Sequence, residues 1–226
     1  MKKKILFLFF FVSTGLLLNA QTGHQSKLKY KIHYYVKESI YEALPNTRGE
    51  ILFVGNSITA SGQWTEMFQD LRVKNRGISG DVTDGILFRL KEITGSHPSK
   101  IFLMVGVNDL SKGKSKKYIL EKYKEILDSI KSQTPLTKIY VQSILPVNDE
   151  FRYFKNHTNK TDSIISLNKN LKVLAIKERA AFIDLFKPFA NSENKLKSEY
   201  TLDGLHLNGK GYLLWKSIVE KYVFDN

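Results

Sequence analysis

Four short segments of this 226-residue chain contain residue types that can carry out acyl transfer. They are residues 55–57 (Gly-Asn-Ser), 75–81 (Asn-Arg-Gly-Ile-Ser-Gly-Asp), 106–109 (Gly-Val-Asn-Asp) and 203–208 (Asp-Gly-Leu-His-Leu-Asn). Hydrolysis of an ester at neutral pH needs a nucleophile, a base, a group that fixes the tautomer of that base, and hydrogen-bond donors for the oxyanion. Together the four segments offer a group for each of these tasks.

Ser57, Asp203 and His206 are the candidates for nucleophile, orienting carboxylate and base. Asp203 precedes His206 by three residues in a loop that contains a glycine, so its carboxylate can reach the imidazole N–H. The order Ser, Asp, His also occurs in α/β-hydrolases, but their Gly-x-Ser-x-Gly turn is missing around Ser57. A lone serine in such a place more often caps a helix, and a lone histidine is more often structural. The triad hypothesis therefore depends on the other segments.

Oxyanion donors are expected from the second and third segments. Two glycines in residues 75–81 let backbone amides approach a ligand closely, although such a pair alone is more often a plain turn. Asn108 offers a side-chain N–H group directly after an apolar run, whereas the neighbouring Asp109 can simply cap or turn the chain.

Alternating strand and helix patterns position these segments. Apolar runs typical of strands occur at residues 50–55, 100–105, 138–143 and 181–185, with a shorter one at 72–75. Between and after these runs, apolar residues recur at helical spacing. The stripes are Ile86, Leu87, Leu90 and Ile93; Ile119, Tyr123, Ile126, Leu127 and Ile130; Ile164, Leu167, Leu171, Leu174 and Ala175; Tyr212, Trp215, Val219 and Tyr222. This alternation predicts an α/β fold with a parallel sheet covered by helices on both faces.

The four segments resemble the sequence blocks of the SGNH or GDSL-type hydrolases. Ser57 in FVGNSIT is similar to the first block, and Gly80 in NRGISGD to the second. Asn108 in GVND is similar to the third, and Asp203 with His206 in DGLHLN to the last. The second and third blocks look most like the esterase branch that includes acetylhydrolases similar to platelet-activating-factor acetylhydrolase. Four blocks in this order are a far more specific signal than any one of them.

The resemblance extends over about residues 50–220 and implies both a fold and a site. The implied fold is a three-layer α/β/α, flavodoxin-like, doubly wound parallel sheet of about five strands. The implied site has Ser57 as nucleophile and His206 as base. The implied oxyanion hole consists of the backbone N–H groups of Ser57 and Gly80 and the side-chain amide of Asn108.

Two positions depart from the pattern or leave a choice. Asn56 stands where the motif has Asp, a residue that is not catalytic in the family, so the change concerns only the subfamily. The glycine of the second block can be Gly77 or Gly80, and Gly80 is preferred because it matches the second glycine of the block.

Composition argues against several other classes of protein. The formal net charge is +13, but the lysines are spread along the chain, and the run at residues 112–117 is better explained as a solvated face than as a site for an anionic partner. No zinc-finger spacing or other nucleic-acid signature occurs, so no nucleic-acid partner is expected. The phosphate-loop patterns of nucleotide-binding domains are absent from the strand-helix turns.

No cofactor or metal ion is expected. The chain contains no cysteine, which excludes disulfides and a thiol nucleophile. The five histidines show no paired ligand spacing, so a metallohydrolase is disfavoured. The expected partner is a small-molecule or carbohydrate ester.

The first residues have the order of a secretory signal peptide. Three lysines precede an apolar run at residues 5–18, and Asn19 and Ala20 follow. This run is short of the roughly twenty residues that span a bilayer. We therefore predict a signal peptide at residues 1–20, no stable membrane insertion after cleavage, and a periplasmic or extracellular protein. Residues 21–48 are interpreted as an N-terminal extension with a short helix around 36–44, and residues 49–226 as the hydrolase domain.

The substrate is predicted to carry a short acyl group, acetyl above all, on a polar alcohol such as a carbohydrate. Strands and helices use most of the chain, which leaves little to build a tunnel for a long acyl group. Phe151, Tyr153 and Phe154 lie in an irregular stretch at residues 146–160 and can stack on a sugar, or they can simply pack that loop onto the domain. A lysophospholipase or thioesterase on the same site is an alternative, and a non-catalytic carbohydrate-binding protein on the same fold is another.

Overall fold

The computed structural model describes residues 30–225. The predicted signal peptide at residues 1–20 lies outside the described residues, as do residues 21–29 of the predicted extension.

Five parallel strands form one sheet. They are β1 (Ile51–Gly55), β2 (Val73–Gly77), β3 (Lys100–Met104), β4 (Lys138–Gln142) and β5 (Ala181–Ile183). Their spatial order is β2-β1-β3-β4-β5, which is the flavodoxin-like order of doubly wound folds. The prediction of a flavodoxin-like parallel sheet of about five strands is confirmed.

Helices connect the strands and cover the sheet. They are α1 (Ile32–Ala43), α2 (Ser57–Ala60), α3 (Trp64–Phe68), α4 (Thr83–Phe88), α5 (Leu90–Thr94), α6 (Val107–Ser111), α7 (Lys116–Gln133), α8 (Lys155–Thr158), α9 (Thr161–Lys177), α10 (Phe186–Phe189) and α11 (Gly209–Val223). Two short 3₁₀ helices lie at Asp149–Phe151 and Ser198–Tyr200. Within residues 30–225, no helix has the length and apolar character needed to cross a membrane.

Two helix predictions differ from the structure. The helix expected around residues 36–44 begins earlier, at Ile32, and ends at Ala43, just before Pro45. The apolar stripe from Ile86 to Ile93 belongs to two short helices, α4 and α5, that meet at Arg89. The chain breaks there because the fully buried guanidinium of Arg89 bonds groups outside both helices, as described below.

An aromatic ladder holds one face of the sheet to its helices. Phe53, Phe102 and Tyr140 occupy matching positions on β1, β3 and β4. Their rings stack with centroids 4.8 and 4.6 Å apart. Trp64 of α3 stacks on Phe53 at 4.1 Å and meets Trp215 of α11 edge to face at 4.8 Å. Offset-stacked and edge-to-face pairs of this kind stabilise a core beyond the burial of their area, so this face is a rigid base for the strand ends.

Arg89 connects the ends of the two strands that lead to the first and second segments. Its Nη2 donates to the backbone oxygens of Arg76 at 2.7 Å and Gly55 at 3.4 Å. Its Nε donates to Asp81 Oδ2 at 3.0 Å, and its Nη1 to Glu92 Oε2 at 3.4 Å. Burial alone would lower the pKa of Arg89, but the carboxylates of Asp81 and Glu92 outweigh this effect and hold its pKa above the usual range. The guanidinium therefore stays charged inside the protein.

We predict that Arg89→Met destabilises the fold strongly. The substitution leaves the buried carboxylate of Asp81 without its cation, whereas Glu92 keeps its ion pair with Arg76 at 2.6 Å. Losing one partner of a buried ion pair costs about 3–5 kcal/mol. The free energy of unfolding in urea measures the loss. Arg72→Met is the matched control, because the Arg72 side chain is 57% exposed and its ion pair with Asp70 lies at the surface. Similar losses in the two variants would contradict the role given to Arg89.

Candidate active site

The four predicted segments meet at the carboxyl edge of the sheet. The strand order reverses between β1 and β3, and in open α/β sheets ligands bind in the crevice at such a point. Ser57 begins α2 directly after β1, and Asn108 lies in α6 directly after β3. The two residues therefore stand on either side of the reversal.

The turn that carries Ser57 is fixed from several sides. Asn56 Oδ1 accepts the N–H of Ile58 at 3.0 Å, so the residue that departs from the motif is the N-cap of α2. The hydroxyl of Tyr212 on α11 donates to the Ile58 oxygen at 2.7 Å. A Cβ at Gly55 would come within 2.3 Å of the Met104 oxygen, so only glycine fits at the end of β1. These contacts position the Ser57 side chain.

Ser57, His206 and Asp203 form a continuous hydrogen-bond chain. Ser57 Oγ lies 3.0 Å from His206 Nε2, and His206 Nδ1 lies 2.8 Å from Asp203 Oδ2. Because the carboxylate can only accept, Nδ1 carries the proton in a neutral ring and Nε2 is left to accept from the serine hydroxyl. This is the arrangement in which an imidazole can take a proton from a serine.

Asp203 is held as an ionised acceptor. Its Oδ1 accepts the backbone N–H groups of His206 at 2.7 Å and Leu205 at 2.9 Å. Burial alone would raise the pKa of Asp203, but the hydrogen bonds from the His206 backbone and ring and from the Leu205 backbone lower it below the usual range. The carboxylate is therefore available to orient the ring of His206.

Several N–H groups around Ser57 are free to bind an oxyanion. In the described part of the chain, the backbone N–H groups of Ser57 and Gly80 donate to no acceptor. Gly77, the alternative glycine of the second block, has its N–H bonded to Asn75 Oδ1 at 2.9 Å. Asn108 Nδ2 donates one hydrogen to the Asp81 oxygen at 2.8 Å, which leaves its second hydrogen for a ligand.

Asp109 has the local role that the sequence suggests as one option. It is buried, and its carboxylate accepts the hydroxyl of Thr83 at 2.6 Å and the Thr83 backbone N–H at 3.1 Å. These bonds tie the start of α4 to α6. Burial raises the pKa of Asp109, an effect that the hydrogen bonds from Thr83 partly offset.

The aromatic stretch at residues 146–160 contains the 3₁₀ turn and α8, and its three rings differ in environment. Phe151 lies against the Asp203 loop, since a Cβ at Gly204 would come within 3.2 Å of its side chain. Tyr153 is 62% exposed. Phe154 is half-exposed, and its ring meets that of His206 edge to face at 5.1 Å. Of the three, Phe154 is the one in contact with the hydrogen-bond chain.

Two histidines that sequence reasoning considered only as metal ligands also lie at the site. His157 Nε2 is 3.0 Å from Asn108 Oδ1, and His33 Nε2 is 3.1 Å from the Ser79 oxygen. Neither contact has a local sequence signal, because the partners are 49 and 46 residues apart. Among residues 30–225, no group of three or more metal-ligating side chains is placed to hold an ion.

A cavity of about 410 Å³ opens beside the candidate oxyanion donors. α1 and α8 contribute to its walls, so part of the predicted N-terminal extension borders the site. Its lining residues are Tyr30, Lys31, His33, Tyr34, Ser79, Gly80, Asn108, Ser111, Lys112 and His157. A larger cavity of about 530 Å³ lies at the amino ends of the strands, lined by residues such as Ile51, Lys100 and Lys138, and is far from Ser57.

Comparison with known proteins agrees with this geometry. A sequence model of the GDSL-like lipase/acylhydrolase family matches residues 53–214. The chain is 28% identical over 169 residues to the Homo sapiens platelet-activating factor acetylhydrolase IB subunit alpha2, across 72% of this chain and 71% of that protein.

Solved structures agree as well. A Streptococcus pneumonia protein provisionally described as a platelet activating factor matches with a TM-score of 0.78 and 29% identity, over 85% of this chain and 93% of that one. An acetyl xylan esterase matches with a TM-score of 0.63 and 21% identity, over 77% of this chain and 100% of that one, which shows a shared fold.

We predict that Gly204→Ala disables the site and lowers stability. Gly204 has φ +82°, and an added Cβ would lie 2.1 Å from the Asn148 oxygen, so the loop that holds Asp203 would have to move. Gly113→Ala is the matched control: its φ is +76°, and no heavy atom of the described residues lies within 4 Å of the added Cβ. Both variants bear the same backbone strain, of about 1 kcal/mol. Thermal unfolding and hydrolysis of an aryl acetate should therefore show a large loss only for Gly204→Ala, and equal losses would contradict the steric argument.

Proposed function

The chain belongs to the GDSL-like lipase/acylhydrolase family, and on that premise we propose that it is an exported serine esterase that removes short acyl groups from a polar alcohol. Membership of the family makes it an ester hydrolase. The observation that carries the finer proposal is the hydrogen-bond chain from Ser57 through His206 to Asp203, at 3.0 and 2.8 Å, next to unused N–H groups.

In the proposed mechanism, Ser57 Oγ attacks the ester carbonyl while His206 Nε2 takes the hydroxyl proton. Asp203 holds the ring and stabilises the imidazolium. The negative charge that develops on the carbonyl oxygen is bound by the N–H groups of Ser57, Gly80 and the Asn108 side chain. When the intermediate collapses, His206 gives its proton to the departing alcohol oxygen and the acyl group remains on Ser57. A water molecule then attacks this acyl ester while His206 takes its proton. The bond from the acyl carbon to Ser57 Oγ breaks, the carboxylic acid leaves, and His206 returns the proton to Ser57 Oγ.

The lining of the cavity beside the donors supports a polar substrate group. Its side chains are hydroxyl, amide, imidazole and ammonium groups with two tyrosine rings, and no aliphatic residue is among them. The proposal of an acetyl ester on a carbohydrate rests on these polar groups and on the exposed rings of Tyr153 and Phe154, of which Phe154 meets the rings of His157 and His206. One structural neighbour is described as an acetyl xylan esterase, which is an enzyme for an acetylated carbohydrate.

Export is part of the proposal, because the order of charged, apolar and small residues at 1–20 is that of a cleaved signal peptide. The remaining positive charge then belongs to the exported protein.

We predict that Ser57→Ala gives a folded protein whose esterase activity falls by several orders of magnitude, because loss of the nucleophile is among the largest single effects in such sites. Initial rates on an aryl acetate measure the loss, and circular dichroism checks the fold. Ser192→Ala, at an exposed position away from the site, is the control and should keep full activity. A Ser57→Ala enzyme with a tenth of wild-type activity would exclude Ser57 as nucleophile.

We predict a preference for short acyl groups. On aryl esters that differ only in acyl length, kcat/KM should fall from acetyl to octanoyl, since strands and helices use most of the chain and leave little to build a tunnel for the longer acyl group. A preference for octanoyl would instead favour a lysophospholipase or thioesterase.

The alcohol is tested on an acetylated oligosaccharide, for which Tyr153→Ala and Phe154→Ala should raise KM while activity on the small aryl acetate is kept. Phe151→Ala is the comparison, because the Phe151 side chain begins beside Gly204 of the Asp203 loop. If neither exposed ring affects KM, the alcohol is not a sugar stacked on this loop.

A further inference from the structure

Two of the candidate oxyanion donors belong to amide groups whose carbonyl oxygens face histidines. The Gly80 N–H is part of the peptide group that it shares with the Ser79 oxygen, and His33 Nε2 lies 3.1 Å from that oxygen. The Asn108 Nδ2 is part of a side-chain amide, and His157 Nε2 lies 3.0 Å from its Oδ1. The same contact is therefore made twice, by residues from two different elements, α1 and α8.

The direction of both hydrogen bonds follows from their partners. A backbone carbonyl only accepts, so His33 Nε2 carries the proton that it shares with the Ser79 oxygen. Asn108 Nδ2 donates to the Asp81 oxygen at 2.8 Å, which turns Oδ1 of the same amide toward His157. Since Oδ1 only accepts, His157 Nε2 is a donor as well.

We propose that His33 and His157 are positioning residues of the oxyanion hole, each donating to the carbonyl oxygen of the amide whose N–H binds the oxyanion. This inference rests on the proposed function and deepens it. A donor at the oxygen of an amide draws electron density toward that oxygen and makes the N–H of the same amide a stronger donor, because hydrogen bonds in a chain polarise one another. It also fixes the plane of the amide before substrate arrives, and such preorganisation is the main source of oxyanion stabilisation.

Both histidines are themselves anchored. α1 is attached to α4 by Tyr34, whose hydroxyl donates to the Gly85 oxygen at 2.8 Å, and to the second segment by Tyr41, whose hydroxyl donates to the Gly77 oxygen at 2.8 Å. His157 is half-buried, and its backbone N–H donates to the Phe154 oxygen at 2.7 Å. Burial, followed by the nearby His206 and Lys112, lowers the pKa of His157. A neutral ring with its proton on Nε2 is the form that this contact uses.

Loss of the two histidines should lower kcat to different extents. His33 is exposed, so water can replace its bond to the Ser79 oxygen, and His33→Ala should lower kcat only about two- to threefold. His157 is shielded, and its loss leaves Asn108 held by the Asp81 oxygen alone. His157→Ala should lower kcat about tenfold, well below the ~10²–10³-fold effect of losing an oxyanion donor outright. In both variants KM on an aryl acetate should stay within about twofold, because the amide acts mainly on the transition state.

A double-mutant cycle with Asn108→Ala separates positioning from a general structural role. His157→Ala should have no further effect on kcat once Asn108 is alanine, because the group it orients is gone. His33→Ala should keep its full effect in that background, because it acts through Gly80. His157→Gln, which can still donate an N–H, should recover part of the activity. His97→Ala is the control: this histidine lines the cavity at the amino ends of the strands, and kcat should not change.

Two kinetic results would overturn the inference: an unchanged kcat in His157→Ala, with or without a rise in KM, or an equal loss of kcat in the Asn108→Ala background. Misfolding is tested by the thermal midpoint, and His157→Gln serves where the alanine variant is unstable. A readout without turnover is the side-chain amide signal of Asn108 in ¹H–¹⁵N spectra, which should shift in His157→Ala and stay in place in His33→Ala. An unmoved signal in His157→Ala would also overturn the inference. A failure of the proposed function would be seen in a different variant, because Ser57→Ala would then keep full activity.

Discussion

The geometry of the site depends on the hydrogen bonds of the buried Arg89 guanidinium. The guanidinium accepts no hydrogen bond and offers five N–H donors, so a site that encloses it completely must supply oxygens on every side. The oxygens come from the ends of two adjacent strands, at Gly55 and Arg76, and from the carboxylates of Asp81 and Glu92. Arg89 therefore fixes the ends of β1 and β2 relative to the loop at Asp81 that follows β2.

That constraint extends to the chemistry through Asp81. The carboxylate of Asp81 is held by Arg89, and its backbone oxygen accepts the amide of Asn108. One residue thus connects the charged core to a group that faces the substrate. An oxyanion donor has to be placed to within a few tenths of an ångström, and here that placement derives from a buried ion pair instead of from a flexible surface loop.

Sequence reasoning found the parts of this protein whose signals are local. Ile51 to Val54 read as a strand because they are buried on both faces, and the types and spacing of Asp203 and His206 identified a pair that the structure places 2.8 Å apart. Other features were inaccessible for a physical reason. Three of the four bonding partners of Arg89, namely Gly55, Arg76 and Asp81, lie outside α4 and α5, and a helical stripe contains no information about them. The contacts of His33 and His157 join positions that only the folded sheet edge brings together.

The position of α1 has a consequence for the part of the chain that forms the cavity. The family match begins at residue 53, yet α1 ends at Ala43 and forms a wall of the cavity beside Gly80. It is joined to the rest of the site by side-chain bonds to backbone oxygens, which do not depend on the identity of the residues that receive them. Of the α1 residues at the cavity, His33 and Tyr34 make two of these bonds, and Tyr41 makes the third from outside the cavity. The part of the chain that the family model matches therefore does not contain the whole wall of the cavity.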